Sequence, residues 1–156
     1  MIEKNQNLTG VRILPPLLTL IHLLTAFLLG WLVPLPAPTP GWLPLLGWSL
    51  AVAGVILAGW AISQFIRAHT TFDPHAGAST VVKNGLYRFT RNPMYVANIL
   101  VLIGFPLVLN NYWGLILSPV LILLMNRLVI QFEEAYLEAQ FGQEYRDYKS
   151  KVRRWL

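Results

Sequence analysis

The chain has no cysteine among its 156 residues, which excludes disulfides, thiolate metal sites and a cysteine nucleophile. Charge is nearly as scarce. Only 12% of the residues are Asp, Glu, Lys or Arg, against roughly 25% in a soluble domain, while 55% are hydrophobic. These proportions exclude an ordinary soluble enzyme and indicate an integral membrane protein. At this length residues 1–156 make one domain, since domains usually take about 100–200 residues. Any active site must then be built from the helices that cross the bilayer.

Other absences narrow the function. No Gly-x-Ser-x-Gly elbow, Walker loop or strand-coupled Gly-x-Gly-x-x-Gly occurs. The formal charge of +5 does not point to nucleic acid, because the basic residues adjoin apolar segments and no nucleic-acid motif accompanies them. Anionic lipid headgroups are the expected neighbours.

What is present is apolar sequence in long runs. Residues 13–33 carry no charge and give a first span, too long for the core of a signal peptide and without a small-x-small cleavage site. The tract PLPAPTPG, Pro34 to Gly41, is too rich in proline to continue a helix and leads to a second uncharged span at 42–66. No charged residue lies between Arg91 and Arg127. That length suits two spans, 93–109 and 112–131, joined at the turn-like NNYWG. The expected fold is all-α, with four transmembrane helices and a C-terminal interfacial helix.

All 12 Lys and Arg residues fall on one side of that arrangement, from Lys4 and Arg12 through the loop at 67–92 to Arg127 and the tail. By the positive-inside rule both termini and the 67–92 loop are cytoplasmic, as in a bacterial inner membrane. Trp31, Trp42 and Trp113 suit an aromatic belt, and Gly47, Gly54 and Gly59 offer small-residue packing within or between chains. In the tail at 133–156, Leu137, Phe141, Tyr145, Tyr148, Val152 and Trp155 recur every three or four residues. They predict an amphipathic interfacial helix interrupted near Gly142.

Two polar clusters sit at the predicted cytoplasmic boundary. The stretch GLYRFTRNPMY, Gly85 to Tyr95, contains Arg88 and Arg91 three residues apart, a spacing that on a helical turn lets them share a face able to hold a carboxylate. Pro93 fits the first turn of a span, where its missing N–H costs nothing. Glu133 and Glu134 lie near the end of the last span, about 100° apart on a helix, so each has its own task. Either carboxylate can accept an amine or ribose hydroxyls, or simply mark a solvated helix end. His22, inside the first span, is expected to be a neutral imidazole satisfied by a neighbouring helix. His69, His75 and Asp73 share a loop but lack zinc-ligand spacing, so no metal site is expected.

The stretches NGLYRFTRNPMYVANILVLIG, 84–104, and EEAYLEAQFGQEYRDYKSKVRRWL, 133–156, together resemble the isoprenylcysteine carboxyl methyltransferase and phospholipid N-methyltransferase families. These are integral membrane enzymes that use S-adenosylmethionine. Their first stretch usually reads Gly-x-Tyr-Arg-x-x-Arg-His-Pro-x-Tyr, which falls on Gly85, Tyr87, Arg88, Arg91, Pro93 and Tyr95, with Asn92 in place of the usual His. The resemblance implies cofactor binding by Tyr87, Arg91, Asn92, Pro93, Tyr95, Glu133 and Glu134. Arg127, near the same membrane boundary, is the candidate to orient an anionic acceptor. The resemblance also implies methyl transfer to a lipophilic acceptor, an isoprenylcysteine-type carboxylate or a lipid amine among the candidates. The same stretches are similar to the C-terminal regions of the much longer, NADPH-using membrane sterol reductases, and a non-catalytic membrane scaffold is the remaining alternative.

Overall fold

A computed structural model describes residues 10, 11, 13–71 and 77–156; Lys4, Arg12, Asp73 and His75 lie outside the described residues. Every regular element among these residues is helical. Helix α1 runs Pro15–Leu32, opened by proline at its first positions, and α2 runs Leu43–Arg67. A short 3-10 turn at Gly85–Arg88 precedes α3, Pro93–Val108. Helix α4, Trp113–Met125, passes through a π-helical turn at Asn126–Ile130 into α5, Gln131–Phe141, and α6 follows at Gln143–Lys151.

Three of these stretches are long and apolar enough to cross a membrane: Pro15–Leu32, Leu43–Arg67 and the continuous Trp113–Phe141, while Pro93–Val108 is a shorter apolar helix. The last of the three differs from expectation. The helix does not stop at residue 131 but continues ten residues to Phe141, because the π-helical turn keeps the backbone bonded between α4 and α5. The break falls at Gly142, whose φ of 54° favours glycine.

Helix α2 packs most extensively on α3, and glycine makes this possible. A Cβ at Gly47 would stand 2.5 Å from Val108 N, and one at Gly104 would stand 2.6 Å from Ala51 N, so the two backbones nearly touch. Gly54 meets Ala97 in the same interface, whereas Gly59 faces open space. Gly104→Ala is therefore expected to force the helices apart at a cost on the order of 1–3 kcal/mol, and Gly59→Ala to carry no such cost. Thermal unfolding in detergent checks this: equal melting of Gly104→Ala and wild type would contradict the close contact.

Leu18, Leu102, Leu121, Met125, Val129 and Ile130 form the main core between α1, α3 and the α4 stretch. Trp31, Trp42, Trp48 and Trp60 are exposed along with most leucines of α1 and the outer face of α2, as expected of surface that faces lipid. At one end of the bundle, Trp113 Nε1 donates to Val33 O at 2.9 Å and Asn111 Nδ2 donates to Ala26 O at 2.8 Å. These bonds tie the α3–α4 turn to α1. His22 is buried, but its Nδ1 lies 2.9 Å from Leu18 O on its own helix rather than on a neighbour. One turn of α1 is enough to satisfy it.

The tail also differs from expectation. Tyr145 and Tyr148 are buried with Ala61, Val81 and Tyr87, and Leu137, Phe141 and Val152 pack on the same cluster. Trp155 packs on the main core. The apolar stripe therefore covers the chain's own interior. Periodicity identifies an apolar face but not the surface that buries it.

Candidate functional site

The segment before α3 is folded back by two local constraints. Gly85 has φ 58°, and a Cβ there would come 2.7 Å from Gln64 Oε1 on α2. The 3-10 turn that comes next buries Tyr87 and leaves Arg88 exposed. Arg88 and Arg91 consequently share no face, because the chain leaves the turn at Phe89 before Arg91 is reached. Asn92 has φ −131° and ψ 53°, and Pro93 then opens α3 where no N–H is needed.

The opposite wall comes from α5. An inserted π turn shifts the downstream residues relative to an unbroken α-helix, since each extra residue rotates the later side chains by about 100°. Glu133 and Glu134 stand in the first turn of α5 after that insertion. Glu133 Oε1 accepts a hydrogen bond from Tyr95 Oη at 2.7 Å. Glu134 turns the other way, toward Arg91 and Arg154. Arg154 donates Nε to Oε1 at 2.9 Å and Nη2 to Oε2 at 2.7 Å, a two-pronged pair. Arg91 Nη1 stands 3.1 Å from Oε1, too poorly aligned to make a hydrogen bond, so Arg91 Nε and Nη1 are buried without a hydrogen-bond partner.

The tail closes a third side. Arg91 N donates to Arg153 O at 2.9 Å. Arg154 O accepts from Thr90 Oγ1 at 3.1 Å and from Asn92 Nδ2 at 2.9 Å. Trp155 Nε1 reaches Asn126 Oδ1, in the π turn, at 3.2 Å. Tyr148 Oη donates to Tyr87 O at 2.8 Å. Burial, followed by the Glu134 charge, pushes the Tyr145 hydroxyl up to about 12, and burial raises Tyr148 and Tyr87 as well. These phenols stay neutral and wall the site, with Tyr148 as a donor. The hydrogen bond to Glu134 raises Arg154, which remains a cation.

Between these elements lies an open cavity, with about 880 Å³ free of protein atoms when the solvent at its mouth is included. Arg91, Asn92, Tyr95, Glu133 and Glu134 make its polar side, and Phe65, Val81, Met94 and Leu137 its apolar side. Tyr87, Tyr145 and Tyr148 also line it. Among the described residues no cation pairs with Glu133, so one carboxylate and two guanidinium nitrogens of Arg91, Nε and Nη1, are what the protein presents to a ligand. A molecule bearing both an ammonium and a carboxylate complements that pattern.

Of the residues singled out in the sequence, Tyr87, Arg91, Asn92, Tyr95, Glu133 and Glu134 meet at this cavity. Pro93 is buried and starts α3 without lining it. Arg127 is exposed, lies in the π turn and is not among the lining residues. Sequence reasoning missed Arg154, counted only among the basic residues of the tail, and placed Tyr145 and Tyr148 on the apolar face of an interfacial helix. The two hydroxyls were the available signal, since a buried tyrosine needs a hydrogen-bond partner.

Comparison with known proteins places this geometry in context. An uncharacterised protein of Haemophilus influenzae is 46% identical over 63 residues, 40% of this chain and 100% of its own length. The protein-S-isoprenylcysteine O-methyltransferase of Schizosaccharomyces pombe is 28% identical over 107 residues, 69% of this chain and 43% of the yeast protein. A probable protein-S-isoprenylcysteine O-methyltransferase of Oryza sativa subsp. indica is 27% identical over 108 residues, 69% of this chain and 54% of its own length. The chain thus spans about half the length of these methyltransferases. No solved structure matches it at a significant level. The phospholipid methyltransferase family model matches residues 42–144, which include α2, the folded-back loop, α3 and both glutamates. With most of the cavity's walls inside the matched region and isoprenylcysteine methyltransferases among its relatives, the chain belongs to the phospholipid methyltransferase family.

Proposed function

We propose that the chain binds S-adenosylmethionine in this cavity and transfers a methyl group to a lipophilic acceptor at the cytoplasmic face of a bacterial inner membrane. Methyltransferases of this family use S-adenosylmethionine, which when bound supplies a methyl group already activated on a sulfonium. The observation that carries the reading is the meeting of a carboxylate lacking a cation, Glu133, with an arginine whose buried Nε and Nη1 lack hydrogen-bond partners, Arg91, in one cavity with an apolar side. The amino-acid end of the cofactor presents an ammonium and a carboxylate, which match Glu133 and Arg91 respectively. Tyr95 fixes Glu133 through its hydroxyl. Asn92 supports the wall, and Tyr87 and Tyr145 exclude water.

The protein's main task in such a transfer is alignment of the reacting groups, because the methyl is already activated. The apolar side formed by Phe65, Met94 and Leu137 suits a hydrocarbon-bearing acceptor such as an isoprenylcysteine-type carboxylate or a lipid amine. A carboxylate acceptor would need no base. Helix α3 serves as a fourth span in this reading. Its 16 residues reach about 24 Å against a hydrocarbon core of about 30 Å, a shortfall met by local thinning. Both termini and the 67–92 loop then lie on the cytoplasmic side.

The test is transfer of radiolabelled methyl from S-adenosylmethionine into a total membrane lipid extract by the purified protein. Label in an organic-extractable product, lost on Glu133→Gln, is the expected outcome. Label confined to water-soluble material would contradict a lipophilic acceptor.

A further inference from the structure

Glu134 stands between two arginines but holds only one of them by hydrogen bonds. Arg154 takes both carboxylate oxygens, at 2.9 and 2.7 Å. Arg91 is left 3.1 Å from Oε1 and out of line, with Nε and Nη1 unpartnered and its side chain only 10% exposed. A buried guanidinium left so is costly. A fork-to-fork pairing with the adjacent carboxylate would be its natural relief. The Arg154 fork instead fixes the carboxylate in an orientation that leaves Oε1 out of line with Arg91 Nη1.

We propose that Arg154 is a positioning residue that fixes the orientation of Glu134 and thereby keeps Arg91 available to bind the carboxylate of a ligand. The proposal rests on the functional reading above and extends it to a residue outside the region matched by the family model. Arg154 is anchored for this role at its backbone. Its carbonyl accepts from both Thr90 and Asn92, the residues flanking Arg91, and the Arg91 N–H is tied to Arg153. Trp155 is fixed to the π turn by Asn126. The guanidinium of Arg154 is therefore held beside Glu134 by the same segment that carries Arg91. Asn92 thus acts on the site through the tail, by holding the Arg154 carbonyl. The carboxylate could be that of the cofactor's amino-acid end or that of the acceptor, and the two sources are separable.

The experiment is calorimetry on detergent-purified full-length protein with two pairs of probes: S-adenosylhomocysteine against its decarboxylated analogue, and N-acetyl-S-farnesylcysteine against its methyl ester. Wild type should prefer the carboxylate-bearing member of one pair. In Arg154→Gln, Arg91 relaxes onto Glu134, and affinity for that member falls roughly 10- to 100-fold, the range of a lost charge-assisted hydrogen bond. Affinity for the member without a carboxylate stays within about twofold of wild type by the same reasoning, and this also reports an intact fold. Arg154→Lys, which can offer a point charge but no fork, should fall between the two. In an Arg91→Gln background, Arg154→Gln should cause no further loss.

The pair that shows the effect names the source, and either one supports the proposal. Equal weakening of both members, or no weakening of either, would overturn it while leaving the functional reading in place. Wild type that binds none of the four probes would overturn both.

Discussion

Replacing Glu133 by Gln should lower the affinity for S-adenosylhomocysteine roughly 100-fold, with the fold unchanged. Glu133 accepts from Tyr95 at 2.7 Å, and Gln can still accept that bond through its amide oxygen. Local packing is therefore conserved, and only the negative charge is lost. Among the described residues no cation balances that charge, so a ligand ammonium is its available partner. A charge-assisted hydrogen bond in a shielded site contributes on the order of 2–3 kcal/mol, and each 1.4 kcal/mol is about tenfold in affinity. Calorimetry in detergent reads the change directly. Wild-type affinity in this variant would remove Glu133 from the site.

Glu134→Ala should do something different, although the two residues are adjacent. Its carboxylate is 8% exposed and lies between Arg91, 10% exposed, and Arg154, 38% exposed. Removing it leaves Arg91 as a buried charge with no counter-charge beside it, a situation that costs on the order of 3–5 kcal/mol when both partners are fully buried. The exposed partner, Arg154, reduces the share that its own pairing contributes. The expected outcome is a large drop in melting temperature together with release of the C-terminal segment, which Arg154 pins to α5. Trypsin should then cut earlier at Lys151 and Arg153. Wild-type melting and an unchanged digestion pattern would show that the Glu134 contacts do not hold the tail. The pair of variants separates a ligand contact from a structural brace, a division of tasks that adjacent positions on a helix allow.

The helices themselves were legible because uncharged runs and prolines are local signals. Proline at the start of α1 and α3 and the tract at 34–41 set boundaries that the structure reproduces to within about two residues, the usual uncertainty at helix ends. The meeting of Arg91, Asn92 and Tyr95 with Glu133 and Glu134 was also legible, since both clusters lie beside apolar runs and so share a depth. Arg154 was not. Its partner is 20 residues away, and their meeting depends on the reversal at Gly142, whose left-handed φ no periodicity reports. The π turn left no trace either, because a single extra residue in a helix changes hydrogen bonding without changing composition. Arg127 lies within that turn and points outward, so its depth in the chain gave no information about its direction. For the tail, apolar residues at every third or fourth position marked one apolar face. The choice between lipid and the chain's own tyrosine cluster depended on contacts that only folding supplies.

The central claim is that this cavity holds S-adenosylmethionine through Glu133 and Arg91. It is tested most directly by titrating the purified wild-type protein with S-adenosylhomocysteine and, separately, with NADPH. Saturable binding of S-adenosylhomocysteine at one site per chain, strongly weakened by Arg91→Gln and by Glu133→Gln, with no heat from NADPH, is the predicted result. Binding of NADPH in its place would contradict the account and favour a reductase, and binding of neither would favour a non-catalytic membrane protein.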